Sequence, residues 1–335
     1  MLTVIVPAYN SERIVERTLD SIVKQKNDMD IEIIVMDDCS RDNTGKVARE
    51  FLSRQDVRYK VVRNVKNLGL AKSINKGIDL SDKKNNFVMI VNDDTALKGE
   101  NWLKRAMKHF KDKHVAVVTG KYLMPKMDGL DLISKFCLLK YFRQTMRDDG
   151  VYDISFIEER CNIYRKDVLT SYLFNPRYRI SGEDQDLAYK LNDDGYKITY
   201  DSSLNYESLL SNQQNSYKRV LKHEVVYATS QVSLNLRYWN SIKKGTRDSN
   251  LTSRMMFRLV QILDVLLTIS LLILQRWDIL GLILLLRLIY SANSYYQINK
   301  NFFEVGLLSL LDYFTDFAYF SGVLIGIWRV FTGGF

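Results

Sequence analysis

The sequence predicts an α/β domain built on a largely parallel sheet and followed by membrane helices. Three observations predict it. Over roughly the first 205 residues, β-branched runs alternate with helical patterns, the arrangement of strands joined by helices that cover both faces of a sheet. Several of those runs end abruptly in carboxylates. Beyond Met255 the composition changes sharply to long stretches of Leu, Ile, Val and Phe.

Leu2 to Val6 is a β-branched run stopped by Pro7; Ala8, Tyr9, Asn10 and Ser11 form a loop, and Glu12 opens a helix whose inward face is Ile14, Val15, Leu19, Ile22 and Val23. Ile31 to Met36 is a second buried strand that ends in Asp37, Asp38, Cys39 and Ser40, and Asp42, Asn43 and Thr44 supply caps for the next helix. Tyr59 to Val62 makes a third strand, Asn67-Leu68-Gly69 a turn, and Leu70 to Leu80 a helix. The fourth strand, FVMIVNDDT from Phe87 to Thr95, is apolar until it ends in Asn92, Asp93 and Asp94.

Val115 to Gly120 is another strand, and the apolar residues from Leu130 to Leu139 suit a helix on or near a membrane surface. A short helix follows around Asp167 to Leu173. The stretch SGEDQDLAYKLNDDGYKITY then reads as a loop at Ser181 and Gly182, a helix opening on Glu183, Asp184 and Asp186, a turn at Gly195 and a strand from Lys197 to Tyr200. Acids at a helix start are favoured by its dipole, so they also serve a merely capped helix.

A long helix is expected from Ser216 to Asn240, its apolar residues scattered among basic and polar ones as befits a headgroup boundary. Three apolar runs close the chain: Leu259 to Leu274, Ile279 to Ala292 and Val305 to Phe331. Only the last comfortably spans a bilayer core of about 30 Å without drawing in flanking residues. Asp264, Arg287, Asp312 and Asp316 interrupt these runs, where a lone charge is costly, and Asp264 can pair with Arg287 across a hairpin at Gln275 to Asp278. The organisation expected is therefore an α/β domain over 1–208, a basic amphipathic helical segment over 209–254, and a hydrophobic membrane region of two to three helices over 255–335.

Charge locates the partner. The net charge is +9, and Lys218, Arg219, Lys222, Arg237, Lys243, Lys244, Arg247, Arg254 and Arg258 face only Glu224 and Asp248 just before the apolar tail. That is a juxtamembrane pattern, which favours a lipid bilayer over nucleic acid and places the preceding domain on the cytoplasmic face of the cell membrane. The three cysteines, Cys39, Cys137 and Cys161, are widely spaced with no CxxC pair, so neither a zinc site nor a disulfide framework is expected. The N-terminus enters a strand at once, so no secretory leader is expected.

Ligands of open α/β sheets gather at the carboxyl ends of strands, so Asp93 and Asp94 meet whatever the crevice holds. Hard oxygen donors suit Mg²⁺ or Mn²⁺, and a divalent ion shared with a diphosphate neutralises the charge on a departing nucleotide. No G-x-G-x-x-G follows the first strand and no P-loop is present, which argues against an ordinary dinucleotide or nucleoside triphosphate site.

Five segments in consistent order carry a resemblance: IVPAYN at Ile5 to Asn10, IIVMDDCSRDNT at Ile33 to Thr44, NLGLAKSINKGI at Asn67 to Ile78, VNDDT at Val91 to Thr95 and GEDQDLAYKL at Gly182 to Leu191. Together they resemble the family 2 glycosyltransferases of the GT-A fold. The resemblance implies an inverting transfer of sugar from a nucleotide-diphosphate donor, UDP-, GDP- or dTDP-linked, with Mg²⁺ or Mn²⁺ as cofactor. It implies that Pro7, Ala8, Tyr9 and Asn10 line the nucleotide pocket and that Asp38 accepts a hydrogen bond from the base. Asp93 sits by the ribose or the metal, and Asp94 ligates the metal. Asp184 is the general base, with Glu183 the close alternative. Lys72 and Arg63 are candidates for phosphate contact, against the plainer reading of a solvated face.

Three departures stand out. Cys39 occupies a position where many members have Gly, in a loop suited to a positive φ, so a turn of different build is expected here. Asn205, Tyr206 and Glu207 stand where many members place a metal-assisting His. The Q-x-x-R-W signature of processive synthases is absent, Arg237-Tyr238-Trp239 being a partial echo, which favours single-sugar transfer. The apolar tail implies a membrane acceptor: a polyprenyl phosphate, a lipid-linked glycan or a glycolipid. A sugar nucleotidyltransferase would want a Gly-rich basic loop after the first strand, which Pro7-Ala8-Tyr9-Asn10 does not supply. A non-catalytic nucleotide-binding membrane scaffold has no need of both Asp94 and Asp184.

Overall fold

The protein is described by a computed structural model over residues 1–25, 29–124, 127–157, 160–178, 181–209, 216–239, 249–296 and 301–332. The strands are β1 Leu2–Ala8, β2 Ile31–Asp37, β3 Arg58–Arg63, β4 Phe87–Val91, β5 Thr95–Leu97, β6 Val115–Tyr122, β7 Val151–Ile154, β8 Cys161–Arg165 and β9 Lys197–Ser208. The helices of the first half are α1 Val15–Val23, α2 Thr44–Leu52, α3 Leu70–Leu80, α4 Trp102–Met107 and α5 Leu132–Thr145. Those of the second half are α6 Lys166–Tyr172, α7 Glu183–Asp193, α8 Tyr217–Arg237, α9 Ser249–Ile273, α10 Trp277–Tyr296 and α11 Phe302–Phe331. They form two compact units: Met1–Met124 with Arg147–Leu210 and Tyr238–Asp248, and Pro125–Met146 with Ser211–Arg237 and Ser249–Phe335.

The first unit is one mixed sheet in the order β3-β2-β1-β4-β8-β6-β9-β5, with β7 beside β9. Its leading half, β3 to β4, is parallel as the alternating pattern predicts. The second half departs from that pattern: β8 runs antiparallel to both β4 and β6, and β5 and β7 run antiparallel to β9. β5, β7 and β8 escape sequence reading because each is three to five residues long, too short to display a period.

Pro7 does not stop β1. It pairs with Met36 and Ala8 with Asp37, while pairing of β1 to β4 ends at Ile5, so the proline lies where only one neighbour remains. α1 opens at Val15 rather than Glu12, because Ile14 and Val15 first turn back onto the carbonyl of Ser11. A core of Ile5, Ile34, Ile74, Ile90, Leu187, Leu191 and Ile198 fixes α3 and α7 against the sheet.

The second unit is helical, and Phe136, Leu139, Tyr295, Val305 and Leu308 form its core. α10 and α11 are long and apolar enough to cross a membrane, at 20 and 30 residues. A 20-residue helix is about 30 Å long, so the run that looked short reaches the needed length once Trp277 and Tyr296 extend it. Leu263, Leu266, Leu282, Leu285, Leu286 and Phe314 are exposed on the outside.

Among the described residues, Asp264, Arg287, Asp312 and Asp316 each lie within 4 Å of an opposite charge. Arg287 pairs with Asp316 and lies 3.6 Å from Asp264, so the expected Asp264–Arg287 pair forms with a further acid attached. Gln261 donates to Asp316 at 2.5 Å, Lys140 lies 3.3 Å from Asp312 and donates to Thr315 at 2.6 Å, and Ser291 donates to Asp312 at 3.1 Å. Pairing offsets part of the cost of burying these charges, and removing one partner would leave the other uncompensated. Of the basic residues expected before the tail, Lys243, Lys244 and Arg247 lie outside the described residues; Lys218, Arg219 and Lys222 are exposed on α8.

Candidate active site

The carboxyl ends of β1, β2 and β4 form one edge, and the loops leaving them are stitched together. Asp38 N–H donates to the Ala8 carbonyl at 2.9 Å, and Tyr9 N–H donates to Asp93 Oδ2 at 2.9 Å. Thr18 of α1, fully buried, donates to the Asp93 carbonyl at 2.8 Å. Asn10 adopts a left-handed φ of 54°, tolerated by Asn, and its Oδ1 accepts the Arg41 N–H at 2.7 Å. Tyr9, whose N–H is held by Asp93, is 41 % exposed.

Asp38 is buried, and its carboxylate organises the turn into α3. Oδ1 accepts from Asn64 Nδ2 at 2.9 Å and Leu68 N–H at 2.8 Å, and Oδ2 from Gly69 N–H at 2.9 Å. Any nucleobase contact therefore uses the remaining acceptor capacity of Oδ2, since an ionised carboxylate offers about four lone-pair sites. Asp37 is buried against Arg63 at 2.8 Å, and Arg63 also donates to the Ser40 carbonyl at 2.7 Å. Arg63 is thus a brace for the β2 loop. Cys39 takes φ 64°, so the turn keeps the left-handed residue despite carrying a side chain there. Lys72 is exposed on the first turn of α3.

Asp93 and Asp94 are both partly exposed. Burial, then the neighbouring charge of Asp94, pushes the Asp93 carboxyl up to about 7, against the lowering effect of the Tyr9 N–H and the Ser11 hydroxyl. Two crowded carboxylates of this kind fit a hard divalent cation, whose charge relieves their repulsion. Among the described residues no group of three or more acids, His or Cys is placed to hold a metal. Lys98 pairs with Glu207 at 2.5 Å, and the Asn205 carbonyl accepts from Lys98 N–H and Trp102 Nε1, so the segment that lacks the His is committed to packing.

The register brings the third acidic cluster to the same edge. Val91 pairs with Cys161, Ile90 with Asn162, Asn162 with Thr119, and Thr119 with Tyr200, a row that crosses from β4 to β9. α7 precedes β9 and turns back through Tyr196, whose N–H donates to the Leu191 carbonyl. Eleven helical residues rise about 16 Å, the length of about five strand residues. The first turn of α7 therefore comes level with Asp201, one step beyond that row, at the edge where Asn92 to Asp94 emerge. Gly182, with φ 107°, makes the turn into the helix.

Burial separates the three acids of that turn. Glu183 is 3 % exposed and Asp186 fully buried, whereas Asp184 is partly exposed and accepts its neighbour Gln185 N–H at 2.8 Å. Asp186 is held by Lys190 at 2.6 Å and by the Tyr238 hydroxyl at 2.9 Å. Sequence reading missed Tyr238, noted only as part of a partial echo, and Arg160, which lies beside Asp94. A lone Arg in a weakly patterned stretch carries no signal by itself.

The sequence matches the family model described as glycosyl transferase family 2 over residues 3–173. It is 33 % identical over 122 residues to the glycosyltransferase GlyG of Streptococcus pneumoniae, covering 36 % of this chain and 39 % of that protein, so the match spans well under half of that relative's length. It is 24 % identical over 263 residues to an uncharacterized glycosyltransferase of Haemophilus influenzae, covering 72 % of this chain and 78 % of the relative. Among solved structures it is similar to the mannosyltransferase PcManGT from Pyrobaculum calidifontis in complex with GDP-Man and Mn²⁺, with a TM-score of 0.62 and 14 % identity over 98 % of this chain and 87 % of that one. That likeness shows the GT-A fold.

Proposed function

The chain belongs to glycosyl transferase family 2, and from that premise we propose that it is a membrane-attached, inverting transferase moving one sugar from a nucleotide diphosphate to the hydroxyl of a lipid-linked glycan or glycolipid. The observation that carries the proposal is the separation of Asp184 from its acidic neighbours. It is the accessible acid of the α7 turn, at the edge where Asp93 and Asp94 emerge.

Asp184 takes the proton of the acceptor hydroxyl as that oxygen bonds to the anomeric carbon, while the bond to the diphosphate oxygen breaks on the opposite face. The nucleoside diphosphate leaves with the electron pair. Asp93 and Asp94 would hold Mg²⁺ or Mn²⁺, which supplies charge neutralisation for the departing diphosphate. The mannosyltransferase solved with GDP-Man and Mn²⁺ supports a nucleotide-sugar donor and a divalent ion. Tyr9, exposed beside Asp93, offers an aromatic face for the base, and Asp38 fixes the turn that borders it.

A general base favours a hydroxyl acceptor over a polyprenyl phosphate, whose oxygen is already anionic near pH 7 and needs no proton removed. α10 and α11 support attachment to the membrane, and the exposed Lys218, Arg219 and Lys222 support a cytoplasmic catalytic face. Confinement to the bilayer raises the effective concentration of a lipid-linked acceptor. The test incubates the purified protein with UDP-, GDP- and dTDP-sugars, its own membrane lipid extract and Mg²⁺ or Mn²⁺, and identifies the lipid product by mass. A sugar-bearing lipid with release of nucleoside diphosphate is expected. Absence of both a sugar-bearing lipid and released nucleoside diphosphate overturns the reading.

A further inference from the structure

Arg160 immediately precedes β8, and its carbonyl accepts the Asn92 N–H at 2.9 Å, continuing the β4–β8 register one step beyond Val91 and Cys161. The backbone therefore fixes it beside the Asn92-Asp93-Asp94 turn. Its guanidinium lies over the ring of Tyr122, 5.7 Å from the centroid, and Nη1 is 3.4 and 3.3 Å from the two oxygens of Asp94. Both charged side chains are partly buried, 16 % and 18 % exposed.

An arginine keeps its charge at every working pH, so it is a permanent cation on the carboxylate that the proposed function gives to a metal. A divalent ion arriving alone meets two carboxylates already opposed by one guanidinium, with no cluster of three acids, His or Cys among the described residues to compensate. The guanidinium charge opposes cation capture at such a site. A nucleoside diphosphate changes the balance, because it brings negative charge for both cations at once. The guanidinium fork matches the oxygens of a diphosphate as well as those of a carboxylate, and the Tyr122 face supports it in either place.

We propose that Arg160 makes metal capture conditional on the donor: it occupies Asp94 when the site is empty and turns to the diphosphate oxygens when donor and cation enter together. This rests on the transferase reading and adds to it a donor-binding residue and an order of binding. In the empty site the cation and Arg160 compete for Asp94; in the loaded site they share the diphosphate.

The test measures Mn²⁺ binding to the full-length protein from the paramagnetic resonance signal of unbound Mn²⁺, with and without UDP, GDP or dTDP. Wild type is expected to bind Mn²⁺ weakly alone and about tenfold or more tightly with the matching nucleoside diphosphate, within the usual range of coupling between ligands. Arg160→Met is expected to bind Mn²⁺ alone about tenfold more tightly and the nucleoside diphosphate about tenfold more weakly, so the coupling collapses. Arg160→Lys, which keeps the charge and loses the fork, retains weak Mn²⁺ binding while losing diphosphate affinity; it carries the test if the Met variant fails to fold. A folded Arg160→Met with both wild-type affinities overturns the arginine's role and leaves the transferase reading intact. Wild type that binds none of UDP, GDP and dTDP in Mn²⁺ overturns the transferase reading itself.

Discussion

The hydroxyl of Tyr238 donates a 2.9 Å hydrogen bond to Asp186, and its ring stacks on Tyr189 with centroids 4.9 Å apart. Both partners lie on α7, whose first turn carries Asp184. Tyr238 thus holds the helix that presents the proposed base. Tyr238→Phe keeps the stack and removes a bond to a buried carboxylate, at a cost of about 1.5–3 kcal/mol. We expect a lower midpoint of thermal unfolding and a lower kcat with an unchanged KM for the donor. A variant with wild-type kcat shows that the tether does not position the base.

The acids of the α7 turn divide by accessibility. Asp184→Asn is expected to lower kcat by at least about a hundredfold, the usual contribution of a general base, while nucleoside diphosphate binding stays near normal. Glu183→Gln, at a buried position, is expected to act on stability more than on kcat. Asp94→Asn impairs metal-dependent donor binding. Isothermal titration of the nucleotide beside steady-state rates separates the three, and full turnover by Asp184→Asn removes the base assignment.

Glu32 is buried within β2, with Lys60 at 2.9 Å, the Asp82 N–H at 3.0 Å and the Thr3 hydroxyl at 3.2 Å. Burial alone raises its pKa, but Lys60, the Asp82 N–H and Thr3 outweigh it and hold the carboxyl below the ordinary range. A depressed folded-state pKa contributes stability in full above the unfolded value of about 4.3, and that stability is lost as pH falls through the folded value. Glu32→Gln is therefore expected to destabilise by about 1–3 kcal/mol at pH 7. The deficit shrinks as the pH drops below about 4. Denaturant midpoints across that range decide it; a deficit that grows in acid contradicts the assignment.

In α11, a methyl on Gly322 would collide with the Val225 carbonyl and come within 2.8 Å of Ala228 Cβ, whereas one on Gly306 meets nothing within 4 Å. Where two helix backbones approach this closely, an added methyl has no room and overpacks the contact. Gly322→Ala is expected to lower the thermal midpoint in detergent by overpacking, about 1–3 kcal/mol, and Gly306→Ala is not. Equal midpoints would show that α8 and α11 separate at no cost.

The left-handed Cys39 predicts an asymmetry between two substitutions. Cys39→Gly removes a Cβ from a conformation that penalises it by about 1–2 kcal/mol and is expected to leave stability equal or higher. Cys39→Val adds a second branch there and is expected to lower it. The unfolding midpoints of the two variants, compared with wild type, check the order.

Local chemistry determined much of this protein in advance. The β-branched runs at Leu2, Ile31 and Phe87, the acids that end them, and the apolar tail broken by Asp264, Arg287, Asp312 and Asp316 are legible because period, turn residues and hydrophobic length act over a few neighbouring positions. What no neighbouring position encodes is who meets whom across the sheet. Only tertiary structure pairs β8 backwards between β4 and β6, puts Arg160 on Asp94, binds Arg287 to Asp316 as well as Asp264, and brings Tyr238 to Asp186, 52 residues away. It also ranks the acids of α7: three carboxylates look alike in sequence, yet burial encloses Glu183 and Asp186 and leaves Asp184 within reach of solvent. The physical reason is that a carboxylate's role is set by the partners and water around it, and those are supplied by segments far away along the chain.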